Sequence, residues 1–478
     1  MSRFSIKKTP QNTVNLAGGT AFSMDTETEL THAVLSTFLE DKAYETGDAR
    51  MKRIVSLVNS CDAAFVAKLA IVARNEFNLR TVSHILVGEL AKNHKGDSLV
   101  METFVKVCLR PDDMYEIVAY IDGPIPKQIK RGVRHALLNF NRYQLAKYRG
   151  EGKKVSLVDL FNTCHPNPKF ASEEQATAWK DLVAGTLVSF DTWETEISDE
   201  KNTDKKAVWE SLVTENKLGY MALLRNLNNL IKVGVPDNVI QLACNKLTNP
   251  QEVARSKQMP FRFVTAYDNV KGNRLLSDAI SSAMDIAVSN TPELSGQTLI
   301  AVDCSGSMSG YPILKASIFA ATLAKANERS DVVLYDTRMQ ELTVSSRTPV
   351  IDIAQNIQKN TLGGGTYTGL VFEYANKINK PYSRIIIISD NESWSGDTQQ
   401  AYEKYKKDSG NDPFVYAIDI EGYGTTDLKK SKKVFNLVGW SNRLLDFVGI
   451  IEHGDGLVKY IKNYDTNKKR NQDGEEQM

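Results

Sequence analysis

Along the first 290 residues apolar side chains recur at three- and four-residue spacing, which predicts one short amphipathic helix after another. The clearest cover residues 30–39, 54–66, 67–77, 82–92, 99–108 and 114–121. Turn material at 93–97, 110–113 and 122–126 separates several of them. No strand-like alternation interrupts this rhythm. Short helices in such close succession bury their apolar faces collectively when stacked in pairs, so an all-α, HEAT-like array is the expectation. Because no strict sequence period is visible, a globular all-α domain is the alternative.

After Pro292 the texture changes. Apolar runs at 298–302 (TLIAV), 331–335 (DVVLY), 384–389 (RIIIIS) and 414–420 (FVYAIDI) read as buried strands, with a further strand at 341–345. Helical patterns at 313–327, 351–359, 370–378 and 399–407 alternate with them. That order predicts a parallel, doubly wound α/β domain. The expected organisation is a helical domain over 1–292, an α/β domain over 293–465 and a polar tail over 466–478.

The chain has 478 residues, 42% hydrophobic and 24% charged, which excludes a wholly disordered, collagenous or membrane-embedded protein. Apolar runs such as 69–73 and 414–418 fall far short of the roughly 18 residues that span a bilayer. The opening MSRFSIKKTP lacks the apolar core of a secretory signal. Five scattered cysteines with no CxxC pair argue against a disulfide framework or a cysteine zinc site. A cytoplasmic location is expected.

Net charge is only +1, but its distribution is uneven. Between Lys127 and Lys154 stand nine Lys and Arg side chains against Glu151 alone, whereas from Glu173 to Asp204 nine acids face Lys180 and Lys201. Lys127, Arg131 and Arg134 share one face of a predicted helix, with Lys130 beside them; Ile129, Val133, Ala136, Leu137 and Phe140 share the other. Lys147 and Arg149 continue the stripe, with Tyr143, Tyr148 and His165 nearby. Ser156 and Asp159 read as a capping pair opening the helix that ends before Cys164-His165-Pro166. Cations interleaved with rings suit phosphate contact and base stacking; a solvated helix face is the alternative.

Three loops of the α/β half carry candidate ligands for a cation. They are Asp303-Cys304-Ser305-Gly306-Ser307-Met308, Gly363-Gly364-Gly365-Thr366 and Asp390-Asn391-Glu392. In an open parallel sheet such loops gather at the carboxyl ends of the strands. Asp303, Ser305, Ser307, Thr366 and Asp390 supply five oxygens, a set suited to Mg²⁺ with room for an external acid. A haloacid-dehalogenase-like phosphatase needs a second carboxylate where Ser305 stands. As separate pieces, the glycines read as a linker, the serines as a helix cap and Asp390 as a turn residue.

The three loops resemble the metal-ion-dependent adhesion site of von Willebrand factor A domains. Together with Asn15-Leu16-Ala17-Gly18-Gly19, Met221-Ala222-Leu223-Leu224-Arg225-Asn226-Leu227 and Pro260-Phe261, they make the chain resemble the Ro 60 kDa autoantigen family, built on the TROVE module, from about residue 15 to 465. The resemblance implies a ring of helical repeats closed by the adhesion-type domain. It implies that single-stranded 3′ ends of misfolded RNAs thread the ring, while Y RNAs bind a basic outer surface. Carried onto this chain, it implies RNA contact at Lys127, Lys130, Arg131, Arg134, Lys147, Tyr148, Arg149 and His165, and metal ligation by the five oxygens above. An exoribonuclease partner is implied for bacterial relatives; neither duplex DNA nor a membrane is expected as a partner. Tyr367-Thr368 departs from the family's Asp-Cys after Gly365-Thr366, and the loop between Tyr148 and Ser156 differs too. The expected function is non-catalytic binding of small non-coding RNA for stabilisation or quality control. The alternatives are a metal-dependent protein adaptor and, more distantly, a metal-dependent phosphatase.

Overall fold

The computed structural model describes residues 12–15, 18–35, 46–188, 196–197, 204–291, 294–361, 363–431, 433–438, 448 and 457–467. Two short strands open the chain, β1 (Asn12–Val14) and β2 (Thr20–Ser23). Helices α1 (Thr26–Leu35), α2 (Gly47–Val58), α3 (Ala63–Asn75), α4 (Arg80–Asn93) and α5 (Ser98–Val107) follow. After them come α6 (Pro111–Ile121), α7 (Lys127–Ala136), α8 (Arg142–Lys147), α9 (Leu157–Cys164) and α10 (Glu173–Val183). The helical part ends with α11 (Lys205–Thr214), α12 (Tyr220–Val233), α13 (Asp237–Leu247), α14 (Pro250–Ser256), α15 (Val264–Val270) and α16 (Arg274–Ala287).

Among the early helices each packs on its next neighbour but one. Helix α3 meets α5, α5 meets α7 and α7 meets α9, while α2 meets α4 and α4 meets α6. That is the two-layer stacking expected of a helical array. The predicted helix at 54–66 is in fact two, because the Asp62 carboxylate accepts the Ala64 and Phe65 amides and starts α3 afresh. The predicted helix at 30–39 begins earlier, at Thr26, and residues 36–39 lie outside the described residues. Strands β1 and β2 contradict the expectation of unbroken helix. The polar tail lies mostly outside the described residues.

The α/β domain runs β3 (Thr298–Asp303), α17 (Tyr311–Ala326), β4 (Ser330–Tyr335), β5 (Met339–Leu342), α18 (Val350–Lys359), α19 (Leu370–Ile378) and β6 (Arg384–Ser389). It continues through α20 (Thr398–Ser409), β7 (Phe414–Asp419), β8 (Thr425–Thr426) and β9 (Val434–Val438), and α21 (Leu457–Asn463) closes the described chain. The sheet order is β5-β4-β3-β6-β7-β9. It is mixed, not wholly parallel: β5 follows β4 after a tight turn and pairs antiparallel with it at the edge. Strands β3 and β6 are buried along their whole length, as a sheet covered on both faces requires.

The helical array meets this domain at both of its ends. At the late end α16 packs on α18, and Lys325 of α17 pairs with Asp285 of α16 at 2.7 Å. At the early end β2 pairs antiparallel with β8. There Arg50, fully buried, donates to the Glu421 carbonyl at 2.5 Å, and Arg53 donates to the Gly422 carbonyl at 2.8 Å. The chain is thus a closed circuit of helices and sheet.

Inside the array one carboxylate organises three helices. Asp113 of α6 is bonded to Arg74 of α3 at 3.0 Å, and to Arg80 at 2.5 Å and His84 at 3.0 Å, both of α4. Burial alone would raise its pKa, but the His84 hydrogen bond and the charges of Arg74, His84 and Arg80 hold it far below the usual carboxylate range. Replacing Asp113 with Ala leaves the buried Arg74 guanidinium without its carboxylate and is expected to cost about 3–5 kcal/mol of unfolding free energy at pH 7. Because the folded-state pKa is depressed, that contribution is present above the ordinary carboxylate range and declines as pH falls below it. Urea unfolding of wild type and Asp113→Ala at pH 7 and pH 3 checks both statements, the gap narrowing at the lower pH.

Candidate functional site

Helix α7 buries Ile129, Gly132, Val133 and Ala136 against α5 and α9. Gly132 is required there, since a Cβ would lie 2.8 Å from the Phe104 ring. The helix ends at Ala136, so Leu137 and Phe140 are buried from a 3₁₀ turn and the residue after it. On the outer side Lys127, Arg131 and Arg134 are exposed and Lys130 is half-buried. Lys127, Lys130 and Arg131 have no side-chain ion pair or hydrogen bond among the described residues. Arg134 instead donates from Nε to the Cys164 carbonyl at 2.5 Å and pins the end of α9.

That end carries His165, exposed and in the left-handed conformation with φ of 49°, its amide bonded to the Phe161 carbonyl. The start of α9 is fixed by the expected capping pair: the Ser156 hydroxyl accepts the Asp159 amide, and the Asp159 carboxylate accepts the Ser156 amide. Burial raises the Cys164 thiol pKa, with Lys130 and Arg134 pulling the other way, which places both cations near this turn.

The Lys147-Tyr148-Arg149 segment divides. Lys147 is exposed, 5.6 Å and 5.8 Å from the Tyr143 and Tyr148 ring centres. Arg149 is engaged internally: it donates to the Leu187 carbonyl and lies 3.6 Å from Glu151, beside a cavity of about 400 Å³ that Lys153, Ser156 and Leu182 also line. Arg142 and Lys154 are likewise paired, with Asp181 at 2.7 Å and Asp122 at 2.6 Å. Sequence reasoning missed two neighbours. Arg110 lies over the Tyr148 ring at 4.4 Å, from a stretch that reads as turn. Phe170 stands 77% exposed beyond His165, where its apolar character gave no warning of exposure.

The second constellation sits at the carboxyl ends of β4, β3 and β6, which are adjacent in the sheet. Asp303 ends β3; its Oδ1 accepts the Ser305 amide at 2.9 Å and its Oδ2 the Ser389 hydroxyl at 2.6 Å. The hydroxyls of Ser305 and Ser307 are 3.3 Å apart. Backbone bonds knit the loops: Gly306 N–H to Gly364 O at 3.0 Å, Gly363 N–H to Cys304 O at 3.1 Å, and the Trp394 and Ser395 amides to Thr366 O at 3.2 Å. At this seam Gly365 lies against the Trp394 indole, and a Cβ there would force the ring to shift. All three predicted loops are therefore in contact.

Asp303, Ser305, Thr366 and Asp390 are each no more than 2% exposed. Around them lie Glu392, from the third predicted loop, and two acids the sequence did not single out, Asp336 and Asp427, all buried. Asp336 and Asp427 arrive through strand order and a distant loop, so no local motif marks them. Burial, then Asp303 and Glu392, push the Asp390 pKa well up, and Asp303 is raised by burial with Asp336 adding to it. Asp390 Oδ2 is buried without a hydrogen-bond partner. No cluster of three or more His, Cys, Asp or Glu side chains is arranged to hold a metal among the described residues. A cation here would rely on hydroxyls and water beside two carboxylates, and the orphaned Asp390 oxygen fits such a group. Tyr367 and Thr368, the departure from the family pattern, are bonded to Glu373 at 2.7 Å and Asp427 at 2.9 Å.

A raised folded-state pKa means that ionised Asp390 opposes folding above the ordinary carboxylate range and ceases to do so on protonation. In EDTA, Asp390→Asn is expected to be more stable than wild type by about 1–3 kcal/mol at pH 7. The difference shrinks as acidification protonates the wild-type group, which urea titrations at pH 7 and pH 5 measure.

Family models match most of the chain. The TROVE domain matches residues 11–190 and 169–351, and the Ro60 vWA domain matches residues 297–447. RNA-binding protein RO60 of Caenorhabditis elegans is 26% identical over 243 residues, 46% of this chain and 38% of that protein. RNA-binding protein RO60 of Deinococcus radiodurans is 25% identical over 229 residues, 42% of this chain and 43% of that one. Telomerase protein component 1 of Mus musculus is 35% identical over 117 residues, 24% of this chain. This chain spans only 4% of that telomerase protein's length, and less than half of either RO60. The crystal structure of the Deinococcus radiodurans RO (RSR) protein superposes with a TM-score of 0.63 at 18% identity, covering 88% of this chain and 99% of that one. With the helical array, the mixed-sheet α/β domain and both family models in agreement, the chain belongs to the Ro60 family of TROVE-domain proteins.

Proposed function

We propose that this protein is a non-catalytic RNA-binding protein that holds small non-coding RNAs of the Y type and the single-stranded 3′ ends of misfolded RNAs. The observation that carries the reading is the outer face of α7, where Lys127, Lys130 and Arg131 lack internal partners on a helix whose other side is packed. Cations without internal counter-ions are the ones that gain most from a polyanion, through counter-ion release. Arg134 would act mainly by fixing the turn that presents His165. Lys147 and Tyr148 would extend the surface, whereas Arg149 would support the loop from within. The RO60 relatives carry the name RNA-binding protein, in agreement with this reading.

The test is filter binding in EDTA with a structured RNA bearing a single-stranded 3′ tail, its blunt-ended version and duplex DNA. The tailed RNA is expected to bind tightest. Replacing Lys127, Lys130 and Arg131 together with Ala is expected to flatten the salt slope by about two units, at about 0.7 per phosphate contact on a single strand. An unchanged slope and affinity would remove α7 from the interface.

A second reading rests on the orphaned Asp390 oxygen. Asp303, Ser305, Ser307, Thr366 and Asp390 would hold Mg²⁺, directly or through water, and the cation would offer a coordination position to an acidic side chain of a protein partner such as an exoribonuclease. Mg²⁺ is expected to raise the melting temperature of wild type and leave Asp390→Asn unmoved, while RNA affinity stays the same with or without EDTA. Loss of RNA binding on chelation would merge the two sites.

A further inference from the structure

Tyr148 and Arg110 form a pair that neither domain motif describes. The Arg110 guanidinium carbon lies 4.4 Å from the Tyr148 ring centre, over its face. Its edge is bound to Asp112, with Nε on Oδ1 at 2.9 Å and a terminal nitrogen on Oδ2 at 2.5 Å. Asp112 in turn is held by Arg80 at 2.7 Å, and the Arg110 amide donates to Asp113 Oδ2 at 3.0 Å. Both the backbone and the side chain of Arg110 are therefore fixed by the same buried network that ties α3, α4 and α6 together. Even so, 38% of the Arg110 side chain is exposed, and Tyr148 is only half-buried.

We propose that Arg110 and Tyr148 are a pre-built stacking platform for one unpaired RNA base, at the edge of the basic surface next to Lys147. The proposal rests on the RNA-binding reading and deepens it by adding Arg110. A guanidinium presents a planar, weakly hydrated surface on which a base stacks as it does on a ring. An arginine recruited only for charge would keep its donors free for phosphate. Here Nε and one terminal nitrogen are spent on Asp112, which fixes the plane against Tyr148, and the partly exposed side chain leaves the face turned away from that ring for a base. Because the pair is ordered before a ligand arrives, little side-chain entropy is lost on binding. Lys147, with its ammonium 5.8 Å from the same ring centre, stands where a phosphate next to the stacked base would be met. Asp112 and Arg80 act as positioning residues for the platform.

The experiment uses the full chain and a single-stranded RNA of about a dozen nucleotides carrying one 2-aminopurine, with a blunt RNA duplex of equal length for comparison. Binding of wild type is expected to quench the probe through stacking. Arg110→Ala and Tyr148→Ala should each bind the single strand about tenfold more weakly with the quench reduced, and bind the duplex unchanged. Tyr148→Phe keeps the ring and should retain the quench. Arg110→Lys keeps the charge but not the plane, so it should retain the salt slope and lose quenching.

Equal losses on single strand and duplex together with a lowered melting temperature would make the pair a packing contact and overturn the proposal. Wild-type affinity and quenching in both Ala variants would overturn it as well. If the Lys127, Lys130 and Arg131 triple variant then lost binding, the RNA reading would survive without the platform. If that triple variant also bound as wild type, the basic surface around α7 would be excluded as the RNA interface together with the platform.

Discussion

A stack of helices has an apolar face at each end that its own repeats cannot cover, and the architecture of this protein follows from how those two ends are closed. The α/β domain covers both. The late helices continue directly into it through α16, and the early ones reach it through β2, α1 and α2. Closing the early end takes two arginines, Arg50 and Arg53, which donate to carbonyls just beyond β7. A guanidinium as buried as that of Arg50 is tolerated only because the loop after β7 presents acceptors to it. The closure also touches the candidate metal centre. Asn15 donates to the Ser393 carbonyl at 2.7 Å, and Gly19 lies so close to the same carbonyl that a Cβ would collide with it. Ser393 directly follows the third loop of the centre, so the amino-terminal glycine motif and the ligand loops form one piece of structure.

What could be read in the sequence was whatever depends on neighbours a few residues apart. Helix rhythm, the capping pair at Ser156 and Asp159, and the order of three loops after three elements all belong to that class. Features made by distant pairing were silent. Strands β1 and β2 are short and pair with each other, and β2 finds its second partner at Thr425–Thr426, so no alternation announces them. The break at Asp62 was hidden because the apolar spacing runs through it, and only the side-chain cap shows that the helix restarts. The edge strand β5 reverses direction, which a run of apolar residues cannot encode. At the site itself, Asp303 and Asp390 were legible from their loops, whereas Asp336 and Asp427 reach the same spot through the sheet and a distant loop. In the basic stripe the residue types were legible, but the partners of Arg142, Arg149 and Lys154 were not.

Those partners separate the charged groups that hold the fold from the ones left for a ligand. Asp113 and Asp390 are both buried carboxylates. The first is met by Arg74, Arg80 and His84 and is driven to ionise; the second faces other acids and is driven to hold its proton. A buried charge with its counter-ions in place is complete, and removing a partner damages the fold. A buried acid whose oxygen has no partner is incomplete, and a structure tolerates that cost where something outside the chain completes it. The cations divide in the same way. Arg142, Arg149 and Lys154 are answered by Asp181, Glu151 and Asp122, and belong to the architecture. Lys127, Lys130 and Arg131 are answered by nothing among the described residues, and in the proposed function they are the cations left to meet a polyanion. Arg110 stands between the classes, two of its donors held by Asp112 and one face laid over Tyr148. A group held that firmly and still left partly in solvent is arranged for contact through its face.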